Sequence, residues 1–409
     1  MKRRSFIKGT AALAATPVLA GAGLRFAGAQ DLSGKVTLWH GWTGAEADTL
    51  NNDIIPAWTA ANPNVEIEAL AVPFDQLKNK YSTDTATGGG PDLLIGSLDW
   101  IGELASGELI APLDEMATSE ITGAFLPATV DALKYNDKLY GMPESFETVA
   151  LYYNTDLIQT APKSTDEVYS ISAGMPAGTY GLALFSNFYH PAGYLFGFGA
   201  QLFDADNKCT LNSPETVAFL NWIKGFTGKP GLFQQNDDAG ISSLFKSAKA
   251  AMVVNGPWAL GDYSGTLGEG KVGVAPLPLI SENEDAAPKP FLGVKNIMMN
   301  SNIDGDQAAL AFAFMTFFTG PDSAGPLAEK AGHLPANTAV DVSGNPIAQA
   351  FVKQAENATP LPTIPEMGQV WDPAGAMITS VLAGEKTAEE AAAEAQDKIN
   401  SAIEQMPAD

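Results

Sequence analysis

The chain has 409 residues, 45% hydrophobic and 17% charged, so it is long enough for two globular domains with sizeable cores. Its formal net charge of −24, from 23 Lys and Arg against 47 Asp and Glu, argues against a nucleic-acid partner and against docking on anionic lipid, because both need a basic surface. One cysteine and three histidines exclude a disulfide scaffold and a cysteine-rich zinc site.

Residues 1–29 have the pattern of a bacterial export signal. Basic residues, two consecutive arginines among them, occupy positions 2–8, a small-residue apolar stretch follows at 9–20, and residues 27–29 read Ala-Gly-Ala, a cleavage pattern. The twin arginines followed by Phe-Ile-Lys resemble the twin-arginine signal. The only cysteine, Cys209, lies far downstream and is interpreted as a structural thiol. We therefore expect a periplasmic or secreted protein, exported by the twin-arginine route and without a lipid anchor.

Predicted strands and helices alternate along the rest of the chain. Residues 35–39 predict a strand, and the spacing of Leu50, Ile54 and Trp58 predicts a helix over 45–61, with a kink or restart at Pro56. The further predicted elements are a strand over 65–68, a helix over 75–86, strands over 92–95, 151–154, 182–185 and 251–254, and a tail helix over 387–405 with Ala391, Ala395, Ile399 and Ile403 on one face. This alternation predicts an α/β fold. Because no boundary separates two consecutive domains, we expect the chain to cross between lobes more than once.

The patterns of common catalytic and cofactor sites are missing from the sequence. His40, His190 and His333 are widely separated and form no zinc-binding pattern, so the last two are expected to cap or line loops. Neither a nucleophile elbow nor a phosphate-binding glycine loop occurs, and the glycines at 88–90 precede a strand instead of following one. We therefore expect no metal, no cofactor and no enzymatic activity, and we expect a binding protein.

Aromatic residues and carboxylates lie just after predicted strands or among turn residues. This group comprises Trp42, Asp99, Trp100, Glu147, Tyr189, Trp258 and Trp371. In open α/β sheets, ligands gather outside the carboxyl ends of the strands. A sugar suits such a mixture, because the apolar face of a pyranose stacks on an aromatic ring while carboxylates accept hydrogen bonds from its hydroxyls. Core packing is the alternative for each single tryptophan, and it is the interpretation we adopt for Trp39, Trp58 and Trp222.

Motifs from about Lys35 to Ile403 resemble the periplasmic maltose/maltodextrin-binding proteins of ABC importers, within the extracellular sugar-binding protein family. The motifs are GPD at 90–92, DWIGEL at 99–104, YNDKLYGMP at 135–143 leading to Glu147, ALYYN at 150–154, NGPW at 255–258, KPFLGV at 289–294, and PTIPEM at 362–367 leading to Trp371. Each motif is modest alone, and their order and spacing carry the resemblance.

The resemblance implies a two-lobed α/β periplasmic-binding-protein fold with a ligand cleft between the lobes. Multiple hinge crossings are implied near Phe146, near Phe291 and around 334–338. The mature chain would then divide into an N-terminal lobe, 30–146 plus 291–336, and a C-terminal lobe, 147–290 plus 337–409.

The resemblance also implies roles for five residues. Asp99 would bind sugar hydroxyls from the first lobe, and Glu147 would bind them from the crossing segment. Tyr189, Trp258 and Trp371 would form the aromatic platform of the second lobe.

Three further candidates are His40 and Trp42, by their position after the first strand, and Trp100, at a position that some maltodextrin binders fill with tryptophan. The chain departs from its relatives where Trp42-Thr43 replaces an Asp-Lys pair and where Gly375 replaces an arginine that some relatives carry. These replacements leave a more aromatic site, and they leave the identity of the sugar open among maltose, longer maltodextrins, trehalose and another α-glucoside.

The predicted function is the solute-binding receptor of an ABC sugar importer. Its partners would be an oligosaccharide and the membrane permease subunits, and the protein would be a monomer. One alternative is a receptor for a different solute, such as another oligosaccharide or a polyamine. The other is a secreted glycosidase with Asp99 and Glu147 as its paired carboxylates.

Overall fold

Two mixed β-sheets organise the protein, whose computed structural model describes residues 32–268, 270–281 and 286–406. The predicted export signal at 1–29 lies outside these residues. In chain order the strands are β1 (Gly34–His40), β2 (Val65–Ala71), β3 (Leu93–Ser97), β4 (Lys134–Tyr135), β5 (Lys138–Leu139), β6 (Gly141–Glu147), β7 (Ala150–Asn154), β8 (Tyr180–Phe185), β9 (Leu232–Gln235), β10 (Ala250–Asn255), β11 (Val272–Ala275), β12 (Phe291–Met299), β13 (Leu334–Pro335) and β14 (Thr359–Pro360). β4 and β5 form a small separate hairpin.

The larger sheet has the order β13-β6-β12-β3-β1-β2, with β14 also paired to β12. β2 and β3 run parallel to β1, whereas β12 runs antiparallel to both β3 and β6. β3 lies inside the sheet and is buried over its whole length, which explains its continuous apolar sequence Leu93-Leu94-Ile95. We call this sheet and the helices packed on it the first lobe.

The smaller sheet has the order β11-β7-β10-β8-β9. β8 runs parallel to β10 and β9, whereas β7 runs antiparallel to β10 and β11. All six residues of β10 are buried, and its carboxyl end at Asn255 leads into the segment that carries Trp258. We call this sheet and its helices the second lobe.

Helices cover both sheets. They are α1 (Gly44–Thr49), α2 (Ile55–Ala61), α3 (Phe74–Ala86), α4 (Ile101–Ser106), α5 (Ser119–Thr122), α6 (Pro127–Ala132), α7 (Thr165–Ala173), α8 (Ala192–Gly197), α9 (Pro214–Lys224), α10 (Asp238–Lys246), α11 (Leu260–Leu267), α12 (Gly305–Phe318), α13 (Pro321–Pro326), α14 (Pro346–Ala355), α15 (Trp371–Ala383) and α16 (Ala388–Ile403). The restart predicted at Pro56 is observed, because a π-helical turn separates α1 from α2. Within the described part of the chain, no helix combines the length and apolarity needed to cross a membrane.

The chain passes between the two sheets several times. It leaves the first sheet at Glu147, enters the second at Ala150, and returns between the end of β11 and the start of β12 at Phe291. After β13 it moves to the second lobe again, where α14 packs on β11 and the α15–α16 pair packs on α9. Residues near 147 and 291 therefore lie where the two lobes join.

The tail helix α16 shows how local sequence and packing agree. Thr387 and Glu390 form a reciprocal capping box at its start, which satisfies backbone N–H groups that the helix itself cannot. Ala391, Ala395 and Ile399 are buried against the second lobe, as their spacing predicts. This helix therefore fastens the end of the described chain to the second lobe.

Candidate functional site

Asp99 connects the carboxyl end of β3 to the second lobe. The strand ends at Ser97, and a short 3-10 turn over Leu98–Trp100 brings the Asp99 carboxylate into a buried position. Ser97 Oγ donates to Asp99 Oδ1 at 2.5 Å, and Trp371 Nε1 donates to Oδ2 at 2.9 Å. Burial raises the pKa of Asp99, and these donors oppose the rise only in part. Trp371 begins α15, so this hydrogen bond joins the two lobes.

Tyr189, Trp258, Trp371 and Phe291 form a group that we call the aromatic cluster. The Tyr189 ring lies 6.2 Å from Trp258 and 6.2 Å from Trp371, and it stacks on Phe291 at 5.9 Å. The Tyr189 hydroxyl is buried, and it has no hydrogen-bond partner among the residues that the structure describes. Burial and the nearby carboxylates Glu147 and Asp99 raise the pKa of Tyr189 well above its usual value, so the phenol keeps its proton and remains a donor.

Glu147 ends β6, and its side chain lies beside the aromatic cluster. The carboxylate is buried, and its Oε2 atom has no hydrogen-bond partner in the described part of the chain. Lys295 Nζ lies 3.7 Å from that oxygen, which is ion-pair distance but too long for a good hydrogen bond. Burial raises the pKa of Glu147, and the Lys295 ammonium counteracts part of this rise.

Five charged residues form a buried charge network that the sequence reasoning missed: Glu46, Glu144, Glu147, Lys295 and His333. Lys295 Nζ lies 2.5 Å from Glu46 Oε1, and His333 Nε2 lies 2.8 Å from the same oxygen. His333 Nδ1 lies 2.9 Å from Glu144 Oε1. Lys295 is the one charged residue in the strand sequence of β12, and it was the available sign of this network in the sequence. A charge within a buried strand needs a partner.

Opposite charges determine the protonation of this network. Burial works to lower the pKa of His333, but Glu144 and Glu46 outweigh it and raise the pKa to about 9. Burial works to raise the pKa of Glu46, but Lys295 and His333 outweigh it and hold the pKa at about 2. At neutral pH the network therefore contains two cations, Lys295 and His333. His333 directly precedes β13, in a loop position as predicted, and it belongs to a buried ion-pair chain that the sequence did not predict.

The other three predicted residues pack mainly within the first lobe. Trp42 is buried, with its ring 5.3 Å from His333, and its backbone N–H donates to Nδ1 of the buried His40 at 3.2 Å. Trp100 is also buried, and its ring packs on Phe74 at 5.0 Å. Trp42 still borders the site, because its ring lies 5.9 Å from the Lys295 ammonium.

Two close approaches hold the lobes together near the aromatic cluster. The backbone N–H of Ala45 at the start of α1 donates to Asp262 Oδ1 in the second lobe at 3.0 Å. Gly44 has φ +52, and a Cβ there would lie 2.3 Å from the Asp262 carboxylate. A Cβ on Gly102 would lie 2.0 Å from the carbonyl oxygen of Thr363. Gly44 is therefore required for the contact with Asp262, and Gly102 is required for the close approach of α4 to the segment after β14.

Residues 53–360 match the family model of the bacterial extracellular solute-binding proteins. The chain belongs to this family. Two curated relatives are similar along most of this solute-binding protein. The maltotriose-binding protein of Pyrococcus abyssi is 30% identical over 367 residues, covering 87% of this chain and 79% of its own. A maltooligosaccharide ABC transporter solute-binding lipoprotein of Streptococcus pneumoniae is 29% identical over 351 residues, covering 80% of both chains.

A solved structure establishes the fold of this solute-binding protein. The maltose/maltodextrin-binding domain MalE from Bdellovibrio bacteriovorus, bound to maltotriose, superposes with a TM-score of 0.85 at 26% identity, covering 91% of this chain and 100% of that one. The two-lobed α/β periplasmic-binding-protein fold predicted from the sequence is thereby confirmed.

Proposed function

We propose that this protein is the receptor of an ABC sugar importer and that it binds a maltodextrin or a related α-glucoside between its two lobes. The observation that carries the proposal is the aromatic cluster at the boundary between the lobes, next to the buried carboxylates Asp99 and Glu147. The named ligands of the two relatives and of the superposed structure support the same class of solute.

The polar atoms of the site match the chemistry of a sugar. Pyranose C–H faces would stack on Trp258, Trp371 and Tyr189, whose rings are partly accessible. Sugar hydroxyls would donate to the unpartnered oxygen of Glu147 and to Asp99, and would accept from the Tyr189 hydroxyl. Unpaired buried polar groups discriminate strongly, because a ligand without matching hydroxyls would leave them unsatisfied.

The remaining predicted residues would act at the edge of this site. Trp42 would border the bound sugar beside Lys295, and His40 would hold the Trp42 backbone in place. Trp100 would close the first-lobe side next to Asp99. In this proposal the protein has no catalytic residue and requires no cofactor or metal.

The proposed transport cycle uses the two lobes as rigid bodies. The lobes would be 30–146 plus 291–336 and 147–290 plus 337–409, and hinge bending at the crossings would close them on the sugar. A ligand favours the closed form by as much as its affinity for that form exceeds its affinity for the open one. The importer would then recognise surfaces of both lobes. Export through the twin-arginine signal at 1–29, without a lipid anchor and as a monomer, completes the proposal.

Isothermal titration of the purified protein with maltose, maltotriose, maltotetraose, trehalose, a cyclodextrin and glucose tests this function. We expect one intact sugar to bind per chain, with the panel ranking chain length. Absence of binding to every sugar would reject the α-glucoside assignment and turn attention to other solutes, polyamines included.

A secreted glycosidase is the alternative with a different chemistry. Asp99 follows β3 and Glu147 ends β6, and β12 lies between these two strands. Two strand spacings correspond to about 10 Å between backbones, a spacing compatible with the ~6.5–9.5 Å carboxylate separation of inverting glycosidases and wider than the ~5 Å of retaining ones. The match to a solute-binding family along most of the chain favours a receptor. Recovery of shortened sugar after the titration would support the glycosidase instead.

A further inference from the structure

Lys295 occupies the centre of the buried charge network, at the boundary between the lobes. Its strand β12 lies between β3 and β6, and Lys295 is in register with Ser97 on one side and Ser145 on the other. Its side chain is 14% exposed. A lysine in such a position costs free energy unless its ammonium is paired, so the groups around it explain why the residue is there.

Four groups surround the Lys295 ammonium. Two are carboxylates, Glu46 of the first lobe at 2.5 Å and Glu147 of the crossing segment at 3.7 Å. The other two are indole rings, Trp42 of the first lobe at 5.9 Å and Trp258 of the second lobe at 5.4 Å from the ring centroid. The cation therefore contacts a proposed sugar hydroxyl acceptor and a proposed sugar-stacking ring at the same time.

We propose that Lys295 is a positioning residue for sugar binding, which fixes the Glu147 carboxylate and the Trp258 indole in the arrangement that receives the sugar. This inference rests on the proposed function. Lys295 donates a hydrogen bond to Glu46 but lies 3.7 Å from Glu147 Oε2, so it attracts Glu147 electrostatically and leaves that oxygen free to accept from a sugar hydroxyl. The Trp258 contact crosses from one lobe to the other, so hinge opening in the proposed cycle would separate its two partners.

The charge of Lys295 has a measurable consequence for Glu147. Burial raises the pKa of Glu147, and Lys295 opposes the rise, whereas Glu46 and Glu144 add to it and His333 opposes it. Removing the ammonium leaves Glu147 buried beside two other carboxylates. Its pKa then rises further, so Glu147 takes up a proton at a higher pH than in wild type and loses its charge-assisted hydrogen bond to the sugar.

The experiment is a titration of wild type and Lys295→Met with maltotriose from pH 5.5 to pH 9. Methionine keeps the length of the side chain and removes its charge. We expect the affinity of Lys295→Met for maltotriose to be about 10-fold or more below that of wild type at pH 6. This difference in affinity should become smaller as the pH rises and Glu147 ionises. Lys295→Arg keeps the charge and should retain the wild-type pH profile. In a Glu147→Gln background, Lys295→Met should cost less affinity than it does in wild type.

The matched control is Lys80→Met. Lys80 also combines a carboxylate, Asp84 at 2.7 Å, with an indole ring, Trp39 at 4.2 Å, but it lies on α3 away from the network. This variant should bind maltotriose as wild type does at every pH.

Two results with Lys295→Met would overturn the assignment. Wild-type affinity in Lys295→Met at both ends of the pH range would show that the cation is not needed. A loss that is equal at every pH and equal in the Glu147→Gln background would show a general structural defect. If Lys295→Met does not fold, Glu46→Gln provides a second test, in which the affinity at acidic pH should change in the opposite direction. Without the Glu46 carboxylate, the Lys295 ammonium pairs with Glu147 instead. Sugar binding should then persist to lower pH than in wild type. If the sugar affinity of Glu46→Gln falls at the same acidic pH as that of wild type, the proposal is also rejected. Absence of binding by the wild type would instead reject the proposed function.

Discussion

Trp371 Nε1 donates a hydrogen bond to Asp99 Oδ2 at 2.9 Å, across the boundary between the second lobe and the first. The acceptor is a buried carboxylate, and hydrogen bonds to charged groups are among the stronger ones in proteins. In the proposed transport cycle this bond would orient the Trp371 ring only in the closed form. Ring orientation and lobe closure would then be coupled through one pair of atoms.

Replacing Trp371 by phenylalanine tests this coupling. The variant keeps an aromatic face and removes the N–H donor, so we expect maltotriose affinity to fall about 10-fold, or ~1.4 kcal/mol. Trp371→Ala removes the stacking surface as well and should weaken binding more. Titration calorimetry measures both. Trp222→Phe is the control, since Trp222 packs on Tyr194 at 4.6 Å within the second lobe and should affect thermal stability alone. Equal affinity of Trp371→Phe and wild type would contradict the coupling.

Asp262→Ala should shift the protein towards an open arrangement. The Asp262 carboxylate accepts from the backbone N–H of Ala45 in the other lobe at 3.0 Å, a bond worth about 1 kcal/mol. We expect a larger radius of gyration without sugar by small-angle X-ray scattering, and affinity lower by about threefold to 10-fold. Asp156→Ala, which removes an exposed ion pair with Lys271, is the control and should change neither quantity. An unchanged radius in Asp262→Ala would show that this bond does not favour closure.

The stability of the protein should fall between pH 6.5 and pH 9 because of His333. Its pKa is raised to about 9 in the folded state from 6.5, so the folded chain holds a proton that the unfolded chain releases in this range. The stabilisation is complete below pH 6.5 and is lost as the pH rises through 9. The free energy of unfolding in urea, measured at pH 7, 8 and 9, should fall more steeply with pH for wild type than for His333→Gln.

His190→Gln is the control for that measurement. Burial lowers the pKa of His190 to about 4, so the residue is neutral in both folded and unfolded chains above pH 7.5. The variant should retain the wild-type pH slope between pH 8 and 9. If the free energy of unfolding depends on pH equally in wild type and His333→Gln, His333 is not charged in the folded protein.

Ile399→Ala should destabilise the protein much more than Ile403→Ala. Ile399 is fully buried under α16, and deleting a buried isoleucine side chain costs about 2–5 kcal/mol. Ile403 is half-buried at the last turn, so we expect a cost of less than about 1 kcal/mol. The free energy of unfolding in urea gives both values. Sugar affinity should stay unchanged in both variants, and equal destabilisation would contradict the docked face of α16.

Local pattern predicted several elements of this fold, although not β6 and β12, which carry Glu147 and Lys295. The strand predicted at 35–39 is β1, Gly34–His40, and the helices predicted at 75–86 and 387–405 are Phe74–Ala86 and Ala388–Ile403. Apolar spacing and capping residues decide these elements, and both are properties of a few neighbouring residues. Bounds moved by one or two residues, because the last hydrogen bonds of an element depend on what packs against it.

The candidate site, like the fold, could be predicted from the sequence only in part. The motif around Asp99 and the residues Glu147, Tyr189, Trp258 and Trp371 could be selected from the chain, because each follows a strand end or a recognisable motif. The distances between these residues could not be predicted from the sequence, since the rings come from three separate segments.

The sequence by itself determined the α/β class and the apolar faces of the helical region at 45–61 and of the tail helix, because periodic burial requires only neighbours along the chain. Only the tertiary structure decided that Lys295, Glu46 and His333 share one buried network. These residues lie up to 287 positions apart. A buried charge is stable only beside its partner, and that partner is brought there by the crossing of strands between two lobes.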